Sequence, residues 1–242
     1  PGCSMFGKSI GIVRVKICGN TDAEQIQMCA DAGADCIGFV VEYPIAVPWN
    51  LSREEAKTLL PLVPPFVSHA VVTGGSVDQV LAIADYLHPY VLQLHTDNTV
   101  AETAILAKEL DSRGIRLIRA LRINVATGEA SGEVADPLEA ALRLQETGIA
   151  ALLIDARTDS MPAGTGVSVS WETARSIREA ISVPLILAGG LNPSNVRDAV
   201  EIVCPYAVDV ITGVESSRRV KDRRLVQEFV RQAKQFSSFT AT

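Results

Sequence analysis

Two residues of this chain have the types and positions that acid–base chemistry needs, each at the end of a short apolar run. Cys18 closes the run 13–18 and precedes a glycine, and Asp155 closes the run 151–155. If both runs are parallel strands, the thiol and the carboxylate face one pocket as a base and an acid. Lys16 lies on the same side of its strand as Cys18 and could lower the pKa of the thiol. A salt bridge inside the protein is an equal alternative for this lysine.

Each of these residues also has a purely structural interpretation. A cysteine among apolar residues is commonly a packing residue, and Asp155 could cap a loop amide, although burying a lone carboxylate is costly. His95 ends another apolar run, where it is equally a loop anchor or a catalyst. The other two histidines, His69 and His88, complete no ligand set, and the five cysteines form no CxxC pair. We therefore predict no metal site.

Glycines that follow three later apolar runs suggest an anion site. They are Gly164-Thr165-Gly166, Gly189-Gly190 and Gly213. Glycine lets backbone N–H groups approach an anion, and barrel phosphate sites commonly use the loops after strands seven and eight. One cluster alone is weak evidence because turns also need glycine. Three clusters on neighbouring loops favour a phosphorylated substrate.

Eight β-rich runs alternate along the chain with eight helical patterns. We predict strands over 13–18, 36–41, 67–73, 90–95, 116–123, 151–156, 184–189 and 207–212, and helices near 22–33, 52–61, 76–87, 99–113, 136–148, 170–181, 193–203 and 219–235. Helix starts are indicated by Asp22, Ser52 and Asn192-Pro193, and helix ends by Gly33, Gly114 and Gly148.

Nearly continuous apolar strands are typical of parallel sheets that are buried on both faces. Eight strand–helix units in this length predict an α/β fold, a single-domain (β/α)8 TIM barrel over residues 5–238. An open doubly wound sheet is the rival, but no GxGxxG follows the first strand. We treat residues 1–4, which precede Met5, as a cloning remnant.

The composition excludes several classes of protein. The chain has 242 residues, is 48% hydrophobic and carries a net charge of -6, without a basic block. We therefore predict a large buried core and no nucleic-acid partner. No apolar run is long enough to span a membrane, and the N-terminus lacks a signal-peptide pattern. With no disulfide pattern among the cysteines, a reduced cytoplasmic protein fits best.

The motifs, taken together and in order, resemble those of the phosphoribosylanthranilate isomerase family. The matching segments span almost the whole predicted barrel and are residues 16–19, 33–40, 92–95, 153–155, 164–166, 187–193, 208–210, 213–215 and 221–222. The resemblance implies a barrel that performs an Amadori rearrangement of N-(5-phosphoribosyl)anthranilate in tryptophan biosynthesis without a cofactor. It implies that Cys18 is the general base and Asp155 the general acid. It also implies substrate-positioning roles for Lys16, Trp49, Gln93, His95 and Asp209.

The loop after the second strand departs from the family pattern. Trp49 stands where the resemblance leads us to expect an arginine that holds the anthranilate carboxylate. Arg119, Arg122 or Arg157 could replace that guanidinium. The phosphate and acid–base segments are kept, whereas the segment that would recognise anthranilate is altered.

Two further hypotheses therefore stay open at this point. One is a paralogous isomerase that has the same acid–base pair and acts on another phosphorylated aminosugar or aldose. The other is a barrel that binds a phosphosugar without chemistry, although the presence of both Cys18 and Asp155 argues against it. In every case the expected partner is a small phosphorylated molecule, and the expected state is a monomer or homodimer.

Overall fold

A computed structural model describes residues 13–157 and 169–235, together with two short paired strands before them, Ser4–Met5 and Lys8–Ser9. Eight parallel strands form the centre of the protein: β1 Arg14–Ile17, β2 Cys36–Val41, β3 Ser68–Thr73, β4 Val91–Leu94, β5 Arg116–Asn124, β6 Ala151–Arg157, β7 Leu185–Leu187 and β8 Ala207–Val210. Each strand pairs with the next, and β1 pairs with both β2 and β8. The sheet is therefore closed, which confirms the predicted (β/α)8 barrel and excludes the open sheet.

A helix follows every strand and covers the outside of the barrel. The helices are α1 Ala23–Asp31, α2 Arg53–Leu59, α3 Val77–Leu87, α4 Val100–Asp111, α5 Pro137–Gln145, α6 Trp171–Ala180, α7 Val196–Val203 and α8 Arg223–Lys234. Their buried apolar faces join the outward-facing strand residues in one large core. Burial of this apolar surface is the main favourable contribution to folding. No helix within the described ranges is both long and apolar enough to cross a membrane.

Helix ends follow the predicted signals with one exception. Asp22 and Ser52 are N-caps whose side chains accept backbone N–H groups of α1 and α2. In contrast, α7 begins at Val196 with Asn195 as its N-cap, three residues later than predicted. The Asn192 side chain instead accepts hydrogen bonds from Ser194, which forms a turn before the helix. The predicted start at 192–193 is therefore wrong.

Strands β7 and β8 are shorter than predicted at their carboxyl ends. Gly189 and Gly190 have left-handed backbones (φ 83° and 65°), which the strand conformation does not allow. A short 3₁₀ helix, Thr212–Val214, follows β8. Both ends are therefore loops that curve over the barrel rim, and this is where the sequence places two of the candidate anion-binding clusters.

Alternate strand residues fill the inside of the barrel. Small and branched apolar side chains form one interior cluster, whose buried members are Ile118, Ala120, Ala151, Leu153, Ile186, Ala188 and Ala207. The thiols of Cys18, Cys29 and Cys36 are free; those of Cys18 and Cys29 are buried, and that of Cys36 is partly exposed.

Gly38 on β2 makes room for the thiol at the end of β1. A Cβ atom at this position would lie 2.6 Å from Cys18 Sγ and 3.0 Å from its Cα. We predict that Gly38→Ala lowers the free energy of unfolding by about 1–3 kcal/mol because it overpacks the barrel interior. Urea unfolding measures this loss.

The control for this prediction removes the obstructing atom. Cys18→Ala deletes the sulfur, so the double variant Gly38→Ala/Cys18→Ala should lose less stability than the sum of the two single variants. Strictly additive losses would contradict the proposed contact.

Candidate active site

The thiol of Cys18 lies in the barrel mouth because its backbone continues the ladder of β1. Its N–H donates to the Val210 carbonyl at 2.9 Å, and the side chain is 1% exposed. The next turn is held by Asn20, whose buried amide donates to the carbonyls of Ile17 (2.8 Å) and Gly38 (3.1 Å). The thiol is thus fixed between β1 and β2 and faces the cavity at the rim.

A buried ion pair lies directly below the thiol. Lys16 Nζ is 2.8 Å from Asp209 Oδ2, and both side chains are almost fully buried. Burial acts to lower the pKa of Lys16, but attraction to Asp209 and to the Cys18 thiol outweighs it and raises the pKa above the ordinary lysine value. Within the described part of the chain, the other carboxylate oxygen of Asp209 has no hydrogen-bond partner.

The environment of Cys18 favours the protonated thiol. Burial raises the pKa of the Cys18 thiol above its ordinary value, and the Lys16 ammonium opposes this effect without cancelling it. Asp209 adds a smaller effect that raises the pKa as well. The Lys16 ammonium therefore acts in the direction that favours the thiolate, but burial is the larger effect.

Asp155 lies at the carboxyl end of β6 beside a histidine. Its Oδ1 accepts the N–H of Ala156 at 2.9 Å, and its Oδ2 is 3.2 Å from His95 Nε2. The other ring nitrogen of His95 is 3.2 Å from the amide nitrogen of Gln93. A Cβ at Gly189 would lie 3.1 Å from Asp155 Oδ1 and 2.7 Å from the Ala156 nitrogen, so only glycine fits beside this carboxylate.

Cys18 and Asp155 line one cavity at the carboxyl ends of the strands. Its volume is about 720 Å³ with the solvent in its open mouth included, a size typical of small-molecule sites. Gln93, His95, Asp209 and Trp49 line the same cavity. The structure thus brings together the predicted acid–base and positioning residues, apart from Lys16, which reaches the site through its contact with Asp209.

The predicted anion-binding glycines are placed only in part. Gly189 and Gly190 line the cavity, and Gly213 packs so closely on the next loop that a Cβ would lie 1.9 Å from the Leu191 carbonyl oxygen. The loops after β7 and β8 therefore meet at one side of the mouth. Gly164, Thr165 and Gly166 lie outside the described residues. Among the residues that the structure describes, no group of three or more His, Cys, Asp or Glu side chains could hold a metal.

Comparison with known proteins decides the family. A family model described as N-(5'-phosphoribosyl)anthranilate (PRA) isomerase matches residues 15–232. The chain belongs to this family. The N-(5'-phosphoribosyl)anthranilate isomerase of Haloferax volcanii is 39% identical over 224 residues, which cover 92% of this chain and 94% of that protein. That of Methanocella arvoryzae is 36% identical over 225 residues, with 92% and 99% covered.

Solved structures of phosphoribosylanthranilate isomerases share the fold. The enzyme from Thermotoga maritima superposes with a TM-score of 0.77 at 31% identity, covering 92% of this chain and 99% of that one. A phosphoribosylanthranilate isomerase in complex with reduced 1-(o-carboxyphenylamino)-1-deoxyribulose 5-phosphate gives a TM-score of 0.74 at 30% identity, with the same coverage. This isomerase therefore shares its fold with these relatives and spans almost all of their chains.

Trp49 forms part of an apolar wall in the isomerase cavity. It is 3% exposed, and its Nε1–H donates to Glu215 Oε1 at 2.7 Å. Glu215 in turn is paired with buried Lys221 at 3.0 Å, which ties the loop after β2 to the region after β8. The remaining apolar members of the wall are Val40, Tyr43, Val47, Val72 and Ile211.

Arg119 and Arg122 are the described candidates for the arginine that is missing at position 49. Both side chains already make other contacts. Arg122 forms an ion pair with Asp97. Arg119 donates to the backbone of Asn98 and Ala120, and burial lowers its pKa to about 10. No lysine or arginine is among the described side chains that line the cavity. The side chain of Arg157 lies outside the described residues.

Sequence reasoning missed two features of the site. Tyr43 donates its hydroxyl to the His95 carbonyl at 2.9 Å and packs edge-on against the imidazole, with ring centres 6.1 Å apart. The second is the contact between His95 and Asp155. No pattern within one strand or loop indicates either contact, because each joins residues that are far apart in the chain.

The opposite charges below Cys18 generate a prediction about its ionisation. Asp209→Asn removes a negative charge and should lower the pKa of Cys18, whereas Lys16→Met removes a positive charge and should raise it. The thiolate absorbance at 240 nm, titrated against pH and corrected with the Cys18→Ser variant, measures the midpoint. Burial raises the pKa of Cys29 and of Cys36 to about 12, so these thiols ionise late in the titration.

The exposed carboxylate of Asp85 provides the matched control, because Asp85→Asn removes the same charge far from the thiol. The prediction fails if Asp209→Asn and Lys16→Met shift the midpoint in the same direction. Lys16→Met leaves Asp209 as an unpaired buried charge, which is strongly destabilising. The double variant Lys16→Met/Asp209→Asn therefore provides a neutral background for comparison.

Proposed function

We propose that this isomerase converts N-(5'-phosphoribosyl)anthranilate to its 1-deoxyribulose 5-phosphate product, with Cys18 as general base and Asp155 as general acid. The observation that carries the proposal is the placement of this thiol and this carboxylate in one cavity, on β1 and β6. Ring opening needs a proton donor and removal of the C2 proton needs an acceptor, so the two groups match the two demands of the reaction.

The reaction proceeds by proton transfers alone. Asp155 protonates the ring oxygen, the C1–O bond breaks with its electron pair left on oxygen, and the amine lone pair forms the C1=N bond. The Cys18 thiolate then removes the C2 proton, and the released pair forms C1=C2 while the C=N pair returns to nitrogen. C1 takes up the proton from Cys18, and the C2 hydroxyl proton returns to the acid. No electrons enter or leave, so the proposed reaction uses no cofactor.

The phosphate of the substrate is proposed to lie over Gly189, Gly190 and Gly213, with Gly164, Thr165 and Gly166 as further candidates. The left-handed backbones of Gly189 and Gly190 and the absence of their side chains support close approach of an anion to N–H groups. Asp209 Oδ1, which has no hydrogen-bond partner, is proposed to accept a sugar hydroxyl. Gln93, on β4, is proposed to help position the substrate.

The apolar wall around Trp49 is proposed to hold the aromatic aglycone. An indole stacks well on an aromatic ring but cannot form the bidentate bond of a guanidinium with a carboxylate. The absence of a cation among the described lining residues supports a second candidate function, namely turnover of an aminosugar phosphate whose aglycone has no carboxylate. Trp49 is therefore the residue on which the choice between the two substrates depends.

Location and assembly are proposed on the family alone. The free thiol that the mechanism needs also suits a reducing cytoplasm. A monomer or a homodimer is proposed. A structure of mutually generated monomers of the dimeric phosphoribosylanthranilate isomerase from Thermotoga maritima is 29% identical to this chain and gives a TM-score of 0.74.

Substitution of the acid–base pair tests the mechanism. We predict that Cys18→Ser and Asp155→Asn each lower kcat about 10²–10⁴-fold, because each removes one general catalyst while keeping its approximate shape. The measurement is turnover of N-(5'-phosphoribosyl)anthranilate by the purified full chain. Cys36→Ser, which alters another free thiol, should keep its activity. A loss under tenfold in either catalytic variant would move that role to another residue.

Substitution of Trp49 tests the aglycone. We predict that Trp49→Arg lowers KM for the anthranilate substrate about ten- to a hundredfold, because a charge-assisted contact contributes about 1.5–3 kcal/mol. Trp49→Phe keeps an aromatic wall without adding a charge and should not lower KM. A wild-type chain with low micromolar KM that Trp49→Arg does not improve would remove the second candidate function.

A substrate analogue whose aglycone is aniline instead of anthranilate tests the same question. The wild type and Arg157→Ala should be compared on both substrates. If the cavity has no partner for a carboxylate, wild-type kcat/KM should be at least as high for the aniline analogue as for the anthranilate substrate. Arg157→Ala should then leave the ratio of the two values unchanged. A ratio that favours anthranilate in the wild type and is lost in Arg157→Ala would show that Arg157 supplies the guanidinium.

A further inference from the structure

We propose that Glu215 determines specificity in this isomerase, because its carboxylate fixes the indole of Trp49 as a flat wall for an aromatic aglycone. The inference rests on the proposed function and deepens it, since it names the residue that holds the aglycone side of the cavity in place. Trp49 is among the described residues that line the cavity, whereas Glu215 is not. Glu215 therefore acts through Trp49, as a positioning residue.

The backbone beside Trp49 is held by the barrel sheet. The next two residues form a short strand, Asn50–Leu51, which pairs in parallel with Val40 and Val41 of β2. The direction of the Trp49 side chain then depends on its two side-chain torsions. A large ring that changed rotamer would present a different surface to a ligand each time. The contacts of the ring itself therefore decide the shape of this wall.

Two contacts on one edge of the indole set its direction. Nε1–H donates to Glu215 Oε1 at 2.7 Å. The adjacent ring atom, Cδ1, packs on the turn after β1, where a Cβ at Gly19 would lie 2.9 Å from it and 3.0 Å from Ile211 Cγ2. The protein thus occupies the edge of the five-membered ring. The benzene ring of Trp49 is the part that is left for stacking with an aglycone.

Glu215 is a suitable anchor because its own position is fixed. Its Oε1 also accepts a hydrogen bond from Lys221 Nζ at 3.0 Å, and both side chains are almost fully buried. The same ammonium donates to the Ile211 carbonyl at 3.2 Å. Glu215 and Lys221 are register partners on the paired short strands Glu215–Ser217 and Val220–Lys221. A carboxylate that is held on this side is a preorganised acceptor for the indole N–H on the other.

A wall that is fixed before binding improves the affinity for an aromatic ring. Ordering one side chain during binding weakens affinity by about two- to tenfold, and the protein avoids this cost if the side chain is already ordered. The effect belongs to substrate binding and hence to KM. Among the described contacts, Glu215 has hydrogen bonds to Trp49 and Lys221 and none to Cys18 or Asp155. We therefore expect kcat to depend little on it.

A matched pair of variants separates the acceptor from the charge. Glu215→Gln keeps an oxygen for the indole N–H, whereas Glu215→Met keeps the length of the side chain without an oxygen. Both are combined with Lys221→Met, because Glu215→Met alone would leave the Lys221 ammonium as an unpaired buried charge.

The two double variants are compared by turnover of N-(5'-phosphoribosyl)anthranilate. KM should be about two- to tenfold higher for Glu215→Met/Lys221→Met than for Glu215→Gln/Lys221→Met, and kcat should differ by no more than about twofold. A merely structural role would lower kcat and stability without this selective effect on KM. Glu139→Met, the same change at an exposed position of α5, should leave KM unchanged.

Two further readouts show whether Glu215 acts through the indole. In a Trp49→Phe background the ring has no N–H to donate, so the two double variants should have equal KM values. The chain has two tryptophans, and in ¹⁵N-labelled protein the indole N–H signal of Trp49 should move when the acceptor is removed. The signal of Trp171 should stay in place. Its Nε1 is buried and has no hydrogen-bond partner among the described residues, so in the wild type the Trp49 proton should lie downfield of it.

Three results would overturn the role of Glu215. They are equal KM values in the two double variants, a KM difference that persists in the Trp49→Phe background, and a wild-type Trp49 proton that is not downfield of the Trp171 proton. The last readout needs only the wild type and Trp49→Phe for assignment, so it decides the matter even if the double variants do not fold. A wild-type chain that turns over neither the anthranilate substrate nor its aniline analogue contradicts the proposed function. Normal wild-type turnover with any of the three results contradicts only the role of Glu215.

Discussion

The ion pair between Lys16 and Asp209 is the constraint on which the active site depends. These residues are direct register partners on β1 and β8, the two strands whose pairing closes the barrel. Two charges without water are costly, and each is tolerated because the other lies within 2.8 Å. The same pair sets the field around the Cys18 thiol, so closure of the fold and ionisation of the base are coupled through one contact.

The proposed reaction needs one deprotonated group and one protonated group in the same cavity. The proposed base, Cys18, must be deprotonated while the proposed acid, Asp155, is protonated, although burial raises the pKa of the Cys18 thiol. Lys16 lies beside the thiol on β1, and its ammonium acts to lower the pKa of Cys18. His95 lies beside the Asp155 carboxylate, with Nε2 3.2 Å from Oδ2. The two proposed catalytic groups therefore have different neighbours although they line one cavity.

The sequence predicted those parts of the site that depend on the ends of individual strands. Cys18 and Asp155 could be found because an apolar run followed by glycine, or closed by a carboxylate, marks the rim of a barrel. The contact of His95 with Asp155 could not be predicted, because it depends on how β4 and β6 tilt across the closed sheet. The hydrogen bond between Trp49 and Glu215, which are 166 positions apart, depends on the same closure. The late start of α7 was missed because the Asn192 side chain forms a local turn.

The side chain of Asn50 holds the two ends of the loop after β2 together. Asn50 accepts the backbone N–H of Tyr43 at 2.8 Å and donates to the Tyr43 carbonyl at 2.9 Å, so one side chain joins both ends of the segment between them. The two ends of segment 44–49 are therefore held by a contact that does not involve the side chains between them. Selection can alter this segment as a module, so a lineage of such barrels can acquire a new aglycone preference while the strands that carry the proton chemistry stay the same.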